Sequence, residues 1–252
     1  MADSKITALT ALTTVAGEDL VAIVDDPSGT PVSKKATIDQ IKTYIGGTKV
    51  RISTDFSNSA RFSLTSVTSG ETLFGSSGVF IGTGGTTGAS QTVDYKLSTV
   101  GGFKAFDNNP SFTASIGVDN IGSNEASFFI GIGDLTTAST GITFTGNHIG
   151  FKIITVSGVA TLYATQADGT TETVSSALTT LTNNKALELI VDVTSGTSAT
   201  YYYRYNGGAT SAGTTLTTNI ASGNGNKITV SLSNDNTSTQ QQFYVSSMEY
   251  AR

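Results

Sequence analysis

Leu187-Glu188-Leu189-Ile190-Val191-Asp192-Val193-Thr194, followed by Thr200-Tyr201-Tyr202-Tyr203-Arg204-Tyr205, decides the fold. In the first run, Leu187, Leu189, Val191 and Val193 alternate with Glu188 and Asp192. In the second, Tyr201, Tyr203 and Tyr205 alternate with Tyr202 and Arg204. Side chains on an extended chain point to opposite faces in turn, so a period of two marks a strand with one buried face. The same period recurs upstream. Ala126, Phe128, Ile130 and Ile132 share a face, as do Ile149, Phe151 and Ile153. Further strands are predicted at Thr161–Tyr163, Ile228–Leu232 and Gln242–Tyr250. Asp168-Gly169, Asn206-Gly207-Gly208 and Asn224-Gly225 are hairpin signals, because Asn, Asp and Gly tolerate the left-handed backbone that tight turns need. Many short strands separated by such turns predict a mainly β protein, an antiparallel β-sandwich or barrel.

Composition narrows the functional classes. The chain has 252 residues, enough for one large β domain or two smaller ones. Charged residues are 13%, about half the usual share. Ser, Thr, Asn and Gly take their place, giving the hydroxyl- and amide-rich surface common in secreted and virion β proteins. The net charge is −5 and no basic run exceeds Lys34-Lys35, which argues against a nucleic-acid partner. No apolar run approaches 18 residues, so no membrane insertion is expected. The first residues lack a basic-then-apolar signal, since Leu9 to Leu20 is interrupted by Thr, Gly and Glu. The expectation is assembly in the cytoplasm and release by lysis. There are no cysteines and one histidine. Disulfides, thiolate chemistry and the usual zinc or copper ligand sets are therefore excluded, and neither a cofactor nor a metal site is expected.

The first 47 residues are patterned differently. Asp19-Leu20-Val21-Ala22-Ile23-Val24-Asp25-Asp26 reads as a strand, with a turn at Pro27-Ser28-Gly29. Pro31 to Ala36 then leads into a short helix, with Thr37 as N-cap and Ile38, Ile41 and Ile45 on one face. Gly46-Gly47 ends it, and the boundary is placed there: residues 1–47 form a small β/α segment and 48–252 the sandwich. A helix this short is marginal alone and needs a partner for its apolar face. Three blocks carry a resemblance: Lys5-Ile6-Thr7-Ala8-Leu9, Gly17-Glu18-Asp19-Leu20-Val21-Ala22-Ile23-Val24, and Ser33-Lys34-Lys35-Ala36-Thr37-Ile38-Asp39-Gln40-Ile41. In this order and spacing they resemble the N-terminal attachment module of tailed-bacteriophage fibres, spikes and decoration proteins. The resemblance implies a virion-surface location, a homotrimer, and docking to a capsid or tail protein. Ile6, Leu9 and Leu12, then Leu20, Val21, Ile23 and Val24, and finally Ile38 and Ile41 would carry that docking.

A second resemblance runs over residues 109–250. Asn109-Pro110-Ser111-Phe112-Thr113-Ala114-Ser115-Ile116 is followed by Phe129-Ile130-Gly131-Ile132-Gly133-Asp134, Ile149-Gly150-Phe151 and Ala164 to Gly169. Leu187 to Val191, Tyr202 to Gly207 and Phe243-Tyr244-Val245 complete the series. This order is similar to the concanavalin-like lectin and glucanase jelly roll. That fold serves lectins, hydrolases and inert spacers alike, so it does not fix an activity.

Candidate chemistry is sparse. The hydrolases of that sandwich carry a Glu-x-Asp-x-x-Glu strand with paired carboxylates. No such string occurs, and Glu125 and Asp134 sit at strand ends where solvated charges belong. His148 has no Gly-x-Ser-x-Gly elbow to serve and reads as a loop-end histidine with a satisfied hydrogen bond. Gly82 to Gly88 matches a phosphate loop only in glycine content. Asp25-Asp26 reads as a solvated turn rather than a calcium ligand pair. Aromatic faces stack on sugar rings, which makes Tyr201, Tyr202, Tyr203, Arg204 and Tyr205 the glycan-binding candidates. Alternation assigns one of the two rows to the core and leaves the other as an interface or binding face. The expected function is structural and not enzymatic: a virion protein that displays a sandwich for adsorption to host-surface polysaccharide. The alternatives are a receptor-binding carbohydrate module of a tail fibre and a glycan depolymerase.

Overall fold

The computed structural model describes residues 20–25, 32–37, 52–53, 62–67, 70–75, 78–83, 90–97, 104–119, 126–133, 144, 146–222, 225, 227–234 and 242–251. The chain divides into two compact units, Met1–Lys49 and Val50–Arg252. In the first, β1 (Leu20–Asp25) and β2 (Val32–Thr37) pair antiparallel, with Ile23 opposite Lys34. Thr37, the expected N-cap, closes β2. Ile6, Leu9, Leu12, Ile38 and Ile41 lie outside the described residues. Only the backbone is described for Leu20, Val21, Ile23 and Val24.

The second unit is built from β3 (Ile52–Ser53), β4 (Phe62–Val67), β5 (Gly70–Gly75), β6 (Gly78–Thr83), β7 (Ser90–Lys96), β8 (Ser111–Asp119), β9 (Ala126–Gly133) and β10 (Asn147–Val156). It continues with β11 (Val159–Asp168), β12 (Glu172–Val174), β13 (Thr179–Leu181), β14 (Lys185–Thr194), β15 (Ser198–Tyr205), β16 (Thr214–Leu216), β17 (Lys227–Ser233) and β18 (Gln242–Ala251). No helix occurs among the described residues. These strands form two antiparallel sheets. One runs β16-β15-β14-β8-β18-β6-β5, with β3 also on β18; the other runs β12-β11-β10-β9-β17-β7-β4, with β13 also on β11.

The inward rows of both sheets meet in one core. Phe112, Ile116, Leu187, Leu189 and Val191 come from the first sheet, and Phe128, Ile130, Phe151, Leu162 and Val230 from the second. Contacts cross the interface: Phe128 stacks on Phe243 at 4.1 Å, and Phe151 meets Tyr201 edge-on at 5.4 Å. Each such side chain, once fully buried, contributes roughly 1.5–3 kcal/mol. Packed faces of this kind define a β-sandwich.

Turn chemistry is borne out in part. Asp168-Gly169 joins β11 to β12, with Asp168 Oδ1 accepting from the Thr170 and Thr171 amides at 2.9 and 3.0 Å. Asn206-Gly207 opens the longer connection from β15 to β16, its neighbour in the sheet. Asn224 lies outside the described residues, and the strands to either side of it, β16 and β17, lie in different sheets. Gly225 lies against Phe106, where a Cβ would come within 2.4 Å of the ring. Ser157-Gly158 forms the unforeseen tight turn, with φ of 50° and 78° between β10 and β11.

Candidate functional site

The two tyrosine rows of β15 have different fates. Tyr201 is fully buried, and its hydroxyl donates to the Thr165 carbonyl and Gln166 Oε1 at 3.1 and 3.0 Å. Burial pushes its phenol well above the ordinary range. Tyr203 packs on the core and donates to the Leu178 carbonyl at 3.0 Å. Tyr205 does the same, its hydroxyl accepting from the Thr182 amide at 2.7 Å. Tyr201 is thereby withdrawn from the glycan-binding candidates, since a ring inside the sandwich cannot meet a ligand. The hydroxyls of Tyr203 and Tyr205 are tied to the β13–β14 side of the molecule.

Tyr202 and Arg204 face outward. The Tyr202 ring is covered by Gly213, where a Cβ would fall 2.7 Å from ring carbon Cε1. Arg204 stands opposite Glu188 in the register, and Nη1 meets Oε2 at 2.8 Å. Both side chains remain about two-fifths exposed or more, at 41% and 46%. Glu188 also lines a hollow of about 420 Å³ on the outer face of the first sheet.

Cross-strand register explains the hollow. Ala186, Gly117, Tyr244 and Phe80 lie in one row across β14, β8, β18 and β6. Ala186 and Gly117 project almost nothing from the sheet, so space opens between Tyr244 and the Glu188 row. A bulge between Val245 and Ser247 turns Ser246 into the rim, where its hydroxyl donates to the Ser115 carbonyl at 3.0 Å. Bulges re-aim side chains in this way. An aromatic ring, a carboxylate held by a guanidinium and several hydroxyls suit a polyhydroxylated ligand.

The outer face of the second sheet carries a buried polar chain. Lys152 Nζ meets Glu172 Oε1 at 2.7 Å, with both side chains over nine-tenths buried. The Thr165 hydroxyl donates to the same oxygen at 2.6 Å. His148 Nδ1 lies 2.9 Å from the Gly146 carbonyl, which only an N–H can satisfy. His148 Nε2 lies 3.1 Å from Thr165 Oγ1. The Thr165 proton is already committed to Glu172, so this chain is one proton short when the imidazole is neutral. Burial opposes the extra proton and dominates, lowering the His148 pKa to about 4. Burial likewise lowers Lys152, although Glu172 resists the shift. Phe144 lies over Lys152, with Nζ 5.9 Å from the ring centroid. His148 is therefore a buried residue of β10, not a loop-end histidine. Sequence reasoning missed Lys152 and Glu172, which stand on strands 20 residues apart and share no local motif.

Glu125 and Asp134 lie outside the described residues, as does Asp26. Among the described residues, no three His, Asp or Glu side chains converge as a metal ion would require.

No protein-family model matches the chain, and no curated protein matches it. Solved structures are similar in fold. The CBM2 module of the evolved Dit of Lactobacillus casei BL23 phage J-1 is 12% identical, covers 81% of this chain and 96% of its own, and superposes with a TM-score of 0.53. The exoplasmic/lumenal domain of VIP36, in its Ca2+/Man3GlcNAc-bound form, is 12% identical over 77% of this chain and 83% of its own, with a TM-score of 0.51. A legume lectin-like domain from Entamoeba histolytica is 13% identical over 76% of this chain and 89% of its own, with a TM-score of 0.50. The second unit is thus a lectin-like antiparallel β-sandwich. Within that class, this chain differs from each neighbour at more than four-fifths of aligned positions, so the likeness is one of fold.

Proposed function

We propose that this chain is a virion structural protein, a fibre, spike or decoration, that binds glycan on the host surface through its lectin-like sandwich without cleaving it. The observation that carries the binding role is the hollow beside the Glu188–Arg204 pair, floored by Gly117 and walled by Tyr244. Glu188 accepts hydrogen bonds from ligand hydroxyls there, Arg204 fixes the position of the carboxylate, and Tyr244 supplies an apolar wall. Two of the similar structures support this use of the fold by their descriptions, one as a phage module and one as a Man3GlcNAc-bound domain. The virion role is supported by the three ordered blocks between Lys5 and Ile41. In this proposal the apolar N-terminal residues meet a capsid or tail protein and two further copies of the chain.

The test is retention of the full chain on an array of bacterial surface polysaccharides, with the eluted glycan sized afterwards. Retention of intact glycan that weakens about tenfold in Glu188→Gln supports the proposal; no retention on any glycan, or release of reducing ends, overturns it. For the anchor, the double variant Ile23→Asp with Ile38→Asp is expected to be missing from assembled particles. A particle that still carries it would sink the docking role.

A further inference from the structure

The Glu188 hollow differs at its two ends. Its floor follows one register row, in which Ala186 of β14, Gly117 of β8 and Tyr244 of β18 stand side by side. On the β14 side the row runs out to Asn206, whose amide donates to the Ala186 carbonyl at 2.8 Å. Asn206 and Gly207 form an exposed turn there, and Ala186 is itself exposed. On the β18 side the row changes from bare to aromatic, because Tyr244 is followed by Phe80 of β6.

The Tyr244 ring is held in place as a stop. A Cβ on Gly78 would fall 2.6 Å from both Cζ and the hydroxyl oxygen of Tyr244, so the far end of the ring lies on the bare backbone of β6. Only glycine allows so close an approach, which makes Gly78 a positioning residue for the ring. At its base, Tyr244 borders the floor: a Cβ on Gly117 would meet Tyr244 Cβ at 3.6 Å, an ordinary contact. From β14 to β18 is two strand spacings, about 10 Å. The volume of about 420 Å³ corresponds to roughly fourteen waters in the liquid. A hexose residue takes the place of roughly six, so about two sugars fill the hollow.

A channel open at one end and stopped at the other admits a chain by its end. We propose that the hollow binds the terminal two sugars of a glycan chain and not an interior stretch, with the last ring against Tyr244 and the chain leaving over the Asn206 turn. This end-binding mode rests on the glycan-binding role of the Glu188 hollow, and adds which part of a polysaccharide it takes. It is independent of the virion role.

Calorimetric titration of the full chain with size-sorted fragments of dextran, mannan and galactan, from single sugars to hexasaccharides, tests it. In at least one series, affinity should rise about tenfold from the monosaccharide to the disaccharide and then level off. In Tyr244→Ala the plateau should disappear, with affinity still climbing up to the hexasaccharide, because the chain then runs on past β18. Gly117→Thr puts side-chain atoms into the floor where a Cβ has room, and should weaken every fragment about tenfold. Unaltered urea midpoints show that the variants are folded; Tyr244→Leu and Gly117→Ser take their place if either midpoint falls. Wild-type affinity that keeps climbing beyond the disaccharide, a plateau that survives in Tyr244→Ala, or fragments bound equally by Gly117→Thr each overturn end binding in this hollow. The glycan-binding role then still stands if the polysaccharide array retains the protein. No binding of any fragment also overturns end binding, and an empty array beside it overturns both.

Discussion

Lys152 Nζ and Glu172 Oε1 meet at 2.7 Å with side chains 3% and 7% exposed, whereas Arg204 and Glu188 make their contact of 2.8 Å in the open. The two pairs have the same chemistry and opposite energetics. Removing one partner of a buried pair strands the other charge away from water, at a cost of about 3–5 kcal/mol. Glu172→Gln and Lys152→Met are each expected to destabilise by that order, read as a lowered midpoint in urea at pH 7. The double variant Lys152→Met with Glu172→Leu removes both charges and should recover most of the loss. A double variant as unstable as the sum of the singles would mean that the two side chains contribute independently and that no orphaned charge lies behind either loss.

The exposed pair behaves differently. A half-exposed ion pair is screened by solvent and is worth about 1 kcal/mol or less. Arg204→Ala should therefore leave the urea midpoint nearly unchanged while weakening polysaccharide retention about tenfold. Equal loss of stability and retention would assign Arg204 a structural role through Glu188 and through the Thr210 hydroxyl, to which Nη2 donates at 3.4 Å.

Much of this was legible in the sequence, and the exceptions share a cause. Period-two alternation gave β14 and β15 with their inward faces, because side-chain direction in a strand is a local property, whereas β9 and β17 were legible as strands but are buried on both faces. Alternation also showed that one row of tyrosines enters the core, and Tyr201 does. What alternation cannot give is which strands become neighbours. Glu188 beside Arg204 depends on the register of the β14–β15 hairpin, and Gly117 beside Tyr244 arises from a pairing between strands that are distant in the chain. The bulge after Val245 reverses the expected face of Ser247 and Met248 for the same reason, since it answers to the partner strand β8. Lys152 looks like an ordinary surface lysine until Glu172 and Phe144 close over it.

The single histidine makes the pH dependence assignable. Burial lowers the His148 pKa from 6.5 to about 4. Between these values the unfolded chain binds a proton that the folded protein refuses, so stability rises with pH across that window. The contribution is full above pH 6.5, declines as the pH falls toward 4, and is lost below it. Its size is roughly 3 kcal/mol, from about 1.4 kcal/mol for each pH unit. His148→Gln should flatten the stability profile between pH 4 and 6.5 when unfolding is followed by fluorescence. A variant with the wild-type slope would place the titrating group elsewhere. Asp168, held down to about 2 by its hydrogen bonds with Thr170 and Thr171, acts only in more acid solution.

Gly131 and Gly150 face each other across β9 and β10. A Cβ on Gly150 would fall 2.4 Å from the Ile130 carbonyl oxygen and 2.7 Å from the Gly131 Cα, both main-chain atoms that cannot rotate away. Overpacking of this kind costs about 1–3 kcal/mol. Gly150→Ala is expected to lower the urea midpoint accordingly and to perturb the Phe129 and His148 resonances, because those residues flank the same seam. An unperturbed midpoint would mean that the two strands separate without cost.

Tyr201→Phe separates core from binding face on β15. The hydroxyl of Tyr201 spans the sandwich, bonding the Thr165 backbone and the Gln166 side chain from the opposite sheet. Gln166 in turn donates to the Thr218 carbonyl, so one phenol links β15, β11 and the segment after β16. Deleting it leaves buried acceptors with one donor fewer, at a cost of about 1–2 kcal/mol. The ring itself, edge-on to Phe151, keeps its packing. Stability should fall by that amount while polysaccharide retention stays at the wild-type level, the reverse of the pattern for Arg204→Ala. If Tyr201→Phe instead abolished retention in a stably folded protein, the ligand would have to reach the interior of the sandwich, and the Glu188 hollow would not be the binding face.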